Sequence, residues 1–305
     1  MENYQRPKRL RRVQLAVPGS SEKMMAKAAA SAADHVFLDL EDAVAPSAKV
    51  AARAKIVSAL RGLDWGKKTR CVRINDLGTQ WAYEDIIHIV EQAGEYLDTI
   101  MVPKVMSACD VRFVATLLRQ IEQKIGLKRP IGIEALIEEV QAMQEIDNIA
   151  RGDPRLECII FGPGDYSASQ GIDIRFIGGA DGYPGDIWHY ARFRLVVAAR
   201  AAGIEAVDGP FADFKNPDGF REECRRAMIL GCVGKWAIHP SQIEVAIEAF
   251  SPKREEVEWA RKVAAAYARA EAEGLGSVSM DGVMVDAASV RIVRNIIKKA
   301  DMIGM

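Results

Sequence analysis

The sequence lacks the features that announce several function classes. No apolar run reaches the ~18 residues a membrane-spanning helix needs. The apolar stretch 13–17, behind a basic start, is too short for a signal-peptide core and runs into Pro18-Gly19. Cysteine is scarce: Cys71, Cys109, Cys158, Cys224 and Cys232 make an odd five with no C-x-x-C pair, which argues against a disulfide scaffold or a zinc ribbon. Reduced, mostly buried thiols are expected. The four histidines, His35, His88, His189 and His239, are not spaced as a zinc site, and each is expected in a core or supporting role. An excess of one charge is missing too. Lys and Arg number 41 against 42 Asp and Glu, so no broad basic field invites nucleic acid. Walker A, G-x-G-x-x-G and G-x-S-x-G signatures are all absent. The expectation is a cytoplasmic protein with neither nucleic-acid nor membrane partners.

What is present is a repeating alternation. Eight short apolar runs stand at 13–18, 35–40, 70–74, 99–105, 131–137, 156–161, 204–208 and 234–239. Helical spacing follows each, at 21–33, 47–61, 80–93, 108–125, 139–151, 187–202, 217–230 and 241–249. Eight βα units predict an α/β protein, a closed (β/α)8 TIM barrel over residues 1–250. Gly203 and Gly231 read as helix C-caps. Past residue 250 the pattern changes to a helix of roughly 20 residues after Pro252, a Gly/Ser stretch at 274–279, and a last helix from about Ala287. This segment, 251–305, is too small for its own core, so it is expected to be a helical lid packing on the barrel or on a neighbouring subunit. The run Arg6, Lys8, Arg9, Arg11 and Arg12 reads first as a solvated arm, second as a contact for phosphates or a subunit. The loop 171–186, with five glycines, reads as functional.

In a barrel the chemistry sits at the C-terminal strand ends. Those ends gather Asp39, Glu41, Asp42, Glu138, Asp165 and Asp208 on one rim, with Arg73 and Lys104 beside them. Carboxylates without thiolates or a histidine cluster suit a hard divalent cation, Mg2+ before Mn2+. The competing reading is that each carboxylate caps a helix or pairs with Arg73 or Lys104. Arg73 itself suits a substrate carboxylate or an enolate oxygen. Gly19, Ser20 and Ser21 before a helix offer amides and hydroxyls to an anion.

The segments VPGS at 17–20, LDLEDAVAP at 38–46, VRIN at 72–75, IMVPKV at 100–105, LIE at 136–138, GPGDYSAS at 162–169, VDGPFADF at 207–214, GKWAIHPSQ at 234–242 and MVDAAS at 284–289 run in order over nearly the whole chain. Together they resemble the citrate-lyase-β-like, HpcH/HpaI-type aldolases and, within them, the malyl-CoA lyases. The resemblance implies a barrel, a Mg2+ ion, an acyl-CoA substrate and a small 2-oxo acid such as glyoxylate. It implies Glu138 and Asp165 as metal ligands, Glu41 and Asp42 as the acidic pair orienting metal-bound waters, and Arg73 as the group holding substrate and enolate oxygens. Asp286 matches an acid/base on a C-terminal lid that covers a neighbouring subunit's site, implying a homo-oligomer, a trimer or hexamer. The substrate- and CoA-contacting set it suggests is Ser20, Lys27, Arg73, Gly164, Pro210, Ile238 and His239. One departure stands out: Ser21 occupies the place where the family often has a CoA-contacting arginine. Lys23, Lys27 or the basic arm are the substitutes on offer. The implied reaction is reversible cleavage of L-malyl-CoA, and of β-methylmalyl-CoA, to glyoxylate and acetyl-CoA or propionyl-CoA. The alternatives are a citramalyl-CoA or citryl lyase and a malyl-CoA thioesterase.

Overall fold

A computed structural model of the chain describes residues 4–173, 185–280 and 282–305. Most of the glycine-rich loop thus lies outside the described residues. The chain divides into two compact units, Met1–Ala249 and Phe250–Met305.

The first unit is a closed barrel of eight parallel strands in sequence order: β1 (Val13–Pro18), β2 (His35–Asp39), β3 (Thr69–Arg73), β4 (Thr99–Val102), β5 (Gly132–Ile137), β6 (Leu156–Phe161), β7 (Glu205–Asp208) and β8 (Gly234–Ala237). Parallel strands need crossovers, and helices supply them: α1 (Glu22–Ala29), α2 (Lys49–Gly62), α3 (Ala82–Ala93), α4 (Ala108–Ile125), α5 (Val140–Gln144), α6 (Ile146–Ala150), α7 (Pro163–Gln170), α8 (His189–Ala202), α9 (Pro217–Leu230) and α10 (Ile243–Phe250). Local sequence sets the helix limits. Ser107 and Asp110 form a capping box on α4, and Asn216 with Pro217 starts α9. Gly203 and Gly231, at φ 67° and 107°, close α8 and α9 as the sequence predicts. No described helix is long and apolar enough to cross a membrane.

Three features differ from the sequence reading. The helix expected over 139–151 breaks at Glu145, whose ψ of 6° leaves the helical range, giving α5 and α6. A separate helix, α7, starts directly after β6, with Pro163 at its first position and Gly171 capping it in the left-handed conformation. The basic arm is solvated only at Arg6 and Lys8, and its other cations are drawn into the barrel. Arg9 and Arg11 pair with Glu157, Arg11 also with Glu134, and Arg12 with Asp34, while Arg6 caps the carbonyls of Pro154 and Leu156. The arm pins the N-terminal mouth of the barrel shut.

Alternation along the strands stacks the barrel interior in three layers. On β2 and β5 the inward residues are His35, Phe37 and Asp39, and Glu134, Leu136 and, just past β5, Glu138. The lowest layer is polar: His35 Nε2 lies 3.1 Å from Glu134 Oε1, and Gln14 and Arg11 donate to the same carboxylate. Burial alone would push Glu134 up, yet His35 and Arg11 outweigh it and hold this carboxylate well below its usual range. The thiol of Cys71 joins His35 and Glu134 in one buried group. Arg11 already supplies that group's counter-charge. The middle layer is the apolar core, where Phe37, Met101, Leu136, Ile160, Val207 and Trp236 meet, with Cys71 and Cys158 among them. Four of the five cysteines are buried and all are free, as expected, and only Cys109 is exposed. The uppermost layer is charged and forms the site described below.

The second unit holds α11 (Arg254–Ala272), an antiparallel pair β9 (Ser277–Met280) and β10 (Val283–Asp286), and α12 (Ala287–Met302). The two strands were not foreseen, because a Gly/Ser-rich stretch with exposed side chains carries no buried alternation. Contrary to the expectation that the segment is too small for a core of its own, Ala260, Val263, Val285, Val290 and Val293 make a small one, because the strand pair adds Val285 to the apolar faces of the two helices.

Candidate active site

The C-terminal ends of β2, β3, β4 and β5 and the start of α7 bring Asp39, Glu41, Asp42, Arg73, Lys104, Glu138 and Asp165 together. Arg73 is the hub. Its Nε and Nη2 each donate to Asp39 at 2.7 Å, and Nη1 lies 2.9 Å from Glu41 Oε2. Its guanidinium also rests over the rings of Trp236 and Phe37, at 5.5 and 5.8 Å. Asp39 accepts from the amides of Glu41 and Ala43 as well. Burial opposes its charge, but Arg73 and these donors keep Asp39 below the usual carboxylate range. Asp39 is therefore spent on holding Arg73 and the 41–43 turn, and it is withdrawn from the set of candidate metal carboxylates.

Asp208 is also withdrawn. It is fully buried, 2.9 Å from Arg192 Nε and 2.5 Å from Lys235 Nζ. Arg192 reaches Asp186 and Glu223 with its other nitrogens. This ion cluster fastens α8, α9, β7 and β8 together and engages both Asp208 oxygens with buried protein cations. Sequence position at a strand end gave no hint of it, because both cations lie on other elements.

Lys104 is the only non-glycine residue among those described with a positive φ, 47°. Such a backbone costs about 1–2 kcal/mol for a residue with a Cβ. Here it turns the Lys104 amide onto Glu138 Oε1 at 2.8 Å, while the ammonium reaches Glu41 at 2.5 Å and lies 3.7 Å from Asp42. Lys49, which sequence reasoning did not single out, is buried and donates to the carbonyls of Leu40 and Glu41, fixing the turn from behind. A lysine inside a helix carries no sequence signal for this duty. Gly162 is required by packing: a Cβ there would stand 2.5 Å from Glu138 Oε2.

The charge balance is uneven. Five carboxylates, Asp39, Glu41, Asp42, Glu138 and Asp165, face three cations, Arg73, Lys104 and Lys49. Among the described residues Asp165 has no ion-pair or hydrogen-bond partner, and Glu138 Oε2 has none either. Burial, then the charges of Glu41 and Asp165, push the Glu138 carboxyl up to about 8. Burial likewise raises Glu41, with Arg73 and Lys104 pulling the other way. Two oxygen donors with no protein cation, in an acidic rim, fit a small hard divalent ion.

The remaining expected residues fall around this centre or away from it. Ser20 follows β1, and its carbonyl accepts from Lys55. Gly164 is exposed on the first turn of α7, and Pro210 follows β7. Ile238 and His239 are exposed after β8, with the His239 ring stacked on Phe214 at 4.7 Å. Lys27 is exposed in the last turn of α1. Asp286 belongs to the second unit. It caps α12, where its carboxylate accepts from the Ser289 amide and hydroxyl, which hold it below its usual range.

The model of the HpcH/HpaI aldolase/citrate lyase family matches residues 12–240. An L-malyl-CoA/β-methylmalyl-CoA lyase of Cereibacter sphaeroides is 44% identical over 308 residues, covering 98% of this chain and 97% of the relative. A (3S)-malyl-CoA thioesterase of the same species is 35% identical over 291 residues, covering 95% and 94%. Among solved structures, the CitE protein of Mycobacterium tuberculosis in complex with magnesium, acetoacetate and coenzyme A superposes with a TM-score of 0.75 at 32% identity, covering 95% of this chain and 97% of that one.

Proposed function

The chain belongs to the HpcH/HpaI aldolase/citrate lyase family, and from that premise we propose that it is a Mg2+-dependent carbon–carbon lyase acting on L-malyl-CoA and β-methylmalyl-CoA. The observation that carries this reading is the pair Glu138 and Asp165, two carboxylates with free oxygens on a rim short of cations. These two residues would hold the ion, and Glu41 and Asp42 stand where they would orient its waters. When bound, the ion supplies Lewis-acid polarisation of the 2-oxo acid and an anchor for its carboxylate.

The chain's own residues supply the rest. In the condensation direction the Asp286 carboxylate accepts a proton from the methyl group of acetyl-CoA. The electron pair left behind becomes the thioester enolate. Arg73, preorganised by Asp39 and two aromatic rings, stabilises the enolate oxygen. The enolate carbon then attacks the glyoxylate carbonyl carbon, and the C=O π pair moves onto its oxygen. That oxygen takes up a proton from solvent to become the malyl hydroxyl, and Asp286 releases its proton to solvent. Cleavage is the reverse, and Asp286 returns the proton.

The first test follows glyoxylate and free thiol from L-malyl-CoA, with Mg2+ and with EDTA. Glyoxylate without free thiol, lost in EDTA, is expected. Free thiol without glyoxylate would identify a thioesterase, the activity for which the relative at 35% identity is named.

Mg2+ binding should also release protons. A Glu138 carboxyl at about 8 is roughly nine-tenths protonated at pH 7, and ligation requires the carboxylate. Calorimetry in buffers of different ionisation enthalpy should give about 0.9 proton released per ion at pH 7 and about 0.1 at pH 9. Heats independent of buffer at pH 7 would refute the ligand assignment of Glu138.

The C-terminal unit is proposed to close the site of a neighbouring copy in a homo-oligomer. Asp286→Asn should then lower kcat by ~10²–10⁴. Mixed with a Glu138→Gln chain and reassembled, it should recover about a quarter of parental activity, since a quarter of sites would combine an intact Glu138 with an intact neighbouring Asp286. No recovery from the mixture would mean that each chain serves its own site.

A further inference from the structure

A large cleft lies at the opposite end of the barrel from the carboxylate rim. It has a volume of about 1080 Å3 and lies between the basic arm and the segments that lead into β4, β5 and β6, with Arg70 of β3 in its wall. It lies wholly within the first unit.

Its lining holds six cations, Arg9, Arg70, Arg119, Lys128, Arg129 and Arg155, against three carboxylates, Glu95, Asp98 and Asp153. Asp98 is fully engaged, its two oxygens accepting from three guanidiniums and the Arg70 amide. Arg70 Nε lies 2.9 Å from its Oδ2, while Arg129 and Arg9 both reach Oδ1, at 3.0 and 3.4 Å. Arg9 also has Glu157 behind the wall, so Asp98 is the one carboxylate on hand for Arg70 and Arg129. Arg119 has Asp153, and Arg155 has Glu122 behind the wall. Among the described residues, Lys128 Nζ and both Nη groups of Arg70 have no protein partner. Guanidinium groups do not deprotonate in proteins, so this surplus cannot be relieved by losing protons. It can be relieved by an anion. Paired nitrogens on Arg70 suit the geometry of phosphate oxygens, and a point charge on Lys128 suits a second phosphate. Between the cations the wall carries Pro7, Pro130 and Pro154, rigid residues with no amide to offer, together with Tyr4 and Gln5 from the arm.

We propose that this cleft is a second ligand site, binding a small molecule through a chain of at least two phosphates. Free diphosphate and the phosphate chain of a nucleotide share that chemistry. The inference is independent of the lyase reading, because none of these residues belongs to the catalytic rim.

The test is calorimetric titration of the full chain with inorganic pyrophosphate, ADP and AMP in EDTA. Saturating acetyl-CoA is present throughout, so that any CoA site is filled. Pyrophosphate and ADP are expected to bind at least tenfold more tightly than AMP, and their affinity should fall as salt rises. Binding by both identifies the phosphate chain as the determinant. Binding by ADP alone would add the ring to it, with the proline wall as its seat. Lys128→Gln, at an exposed residue with no partner to lose, should weaken binding several-fold. Arg70→Gln/Lys128→Gln should weaken it at least tenfold. Both variants should keep the parental kcat for glyoxylate release from L-malyl-CoA. The proposal is overturned if neither pyrophosphate nor ADP binds at 5 mM in low salt, or if their affinity is the same in the double variant.

Discussion

Glu138→Gln is expected to abolish Mg2+-stimulated cleavage, lowering kcat/KM by at least ~10³, because a metal that polarises a carbonyl supplies several kcal/mol and 4 kcal/mol is about 10³ in rate. Gln keeps the volume and can still accept the Lys104 amide, so the fold should survive. A second signature separates ligation from simple damage. Glu138 is raised to about 8 in the folded chain, so between about pH 4.5 and 8 the folded state holds a proton that the unfolded chain has lost. Its contribution to stability is complete below pH 4.5 and disappears as pH rises through about 8. Gln has no such loss. In EDTA the variant should therefore gain stability relative to the parent as pH rises from 5 to 8, and added Mg2+ should raise the melting temperature of the parent alone. A variant that binds Mg2+ with parental affinity would remove Glu138 from the ligand set.

Arg192→Met should produce the largest loss of stability. Removing this buried guanidinium leaves Asp186 without a counter-ion among the described residues and leaves Asp208 and Glu223 to share Lys235. Breaking a buried pair on one side typically costs about 3–5 kcal/mol. For a unit of this size that is a melting temperature lower by about 10 °C. The sign with pH is diagnostic. In the parent, burial disfavours the Asp208 charge, but Arg192 and Lys235 outweigh it and depress its pKa, so stability is present above about pH 4 and is lost as pH falls through the folded value. Without Arg192 the abandoned carboxylates take up protons more readily. The deficit against the parent should then shrink between pH 7.5 and pH 5. A deficit under about 1 kcal/mol, or one that does not change with pH, would mean that the cluster is not the fastening described here.

Most of the architecture is legible because alternation along a strand and position at its end carry physical meaning. HVFLD and EALIE each place a polar residue below, an apolar one in the middle and a carboxylate above, and the structure stacks them in that way. Glu41, Asp42, Arg73, Lys104, Glu138 and Asp165 were legible for the same reason. What was hidden depends on partners distant in sequence. Asp39 and Asp208 look like Glu138 at a strand end. They differ only because Arg73, Arg192 and Lys235 close on them in three dimensions. The left-handed turn at Lys104 has no glycine to announce it. The basic arm reads as solvated because its acceptors, Glu134 and Glu157, are over a hundred residues away.

That last separation has a consequence for how the protein is made. Arg11 and Glu157 are 146 residues apart. At about 5–20 residues per second, the ribosome delivers the arm roughly 7–30 s before its acceptors exist. The wait is longer for β1, whose second neighbour is β8. A chain in synthesis thus carries a bare basic leader and an open strand edge until the final βα unit emerges, and it needs protection from aggregation for that interval. Fusion tags or truncations at the start of the chain should therefore disturb the last event of assembly, barrel closure, and leave the early βα units able to form.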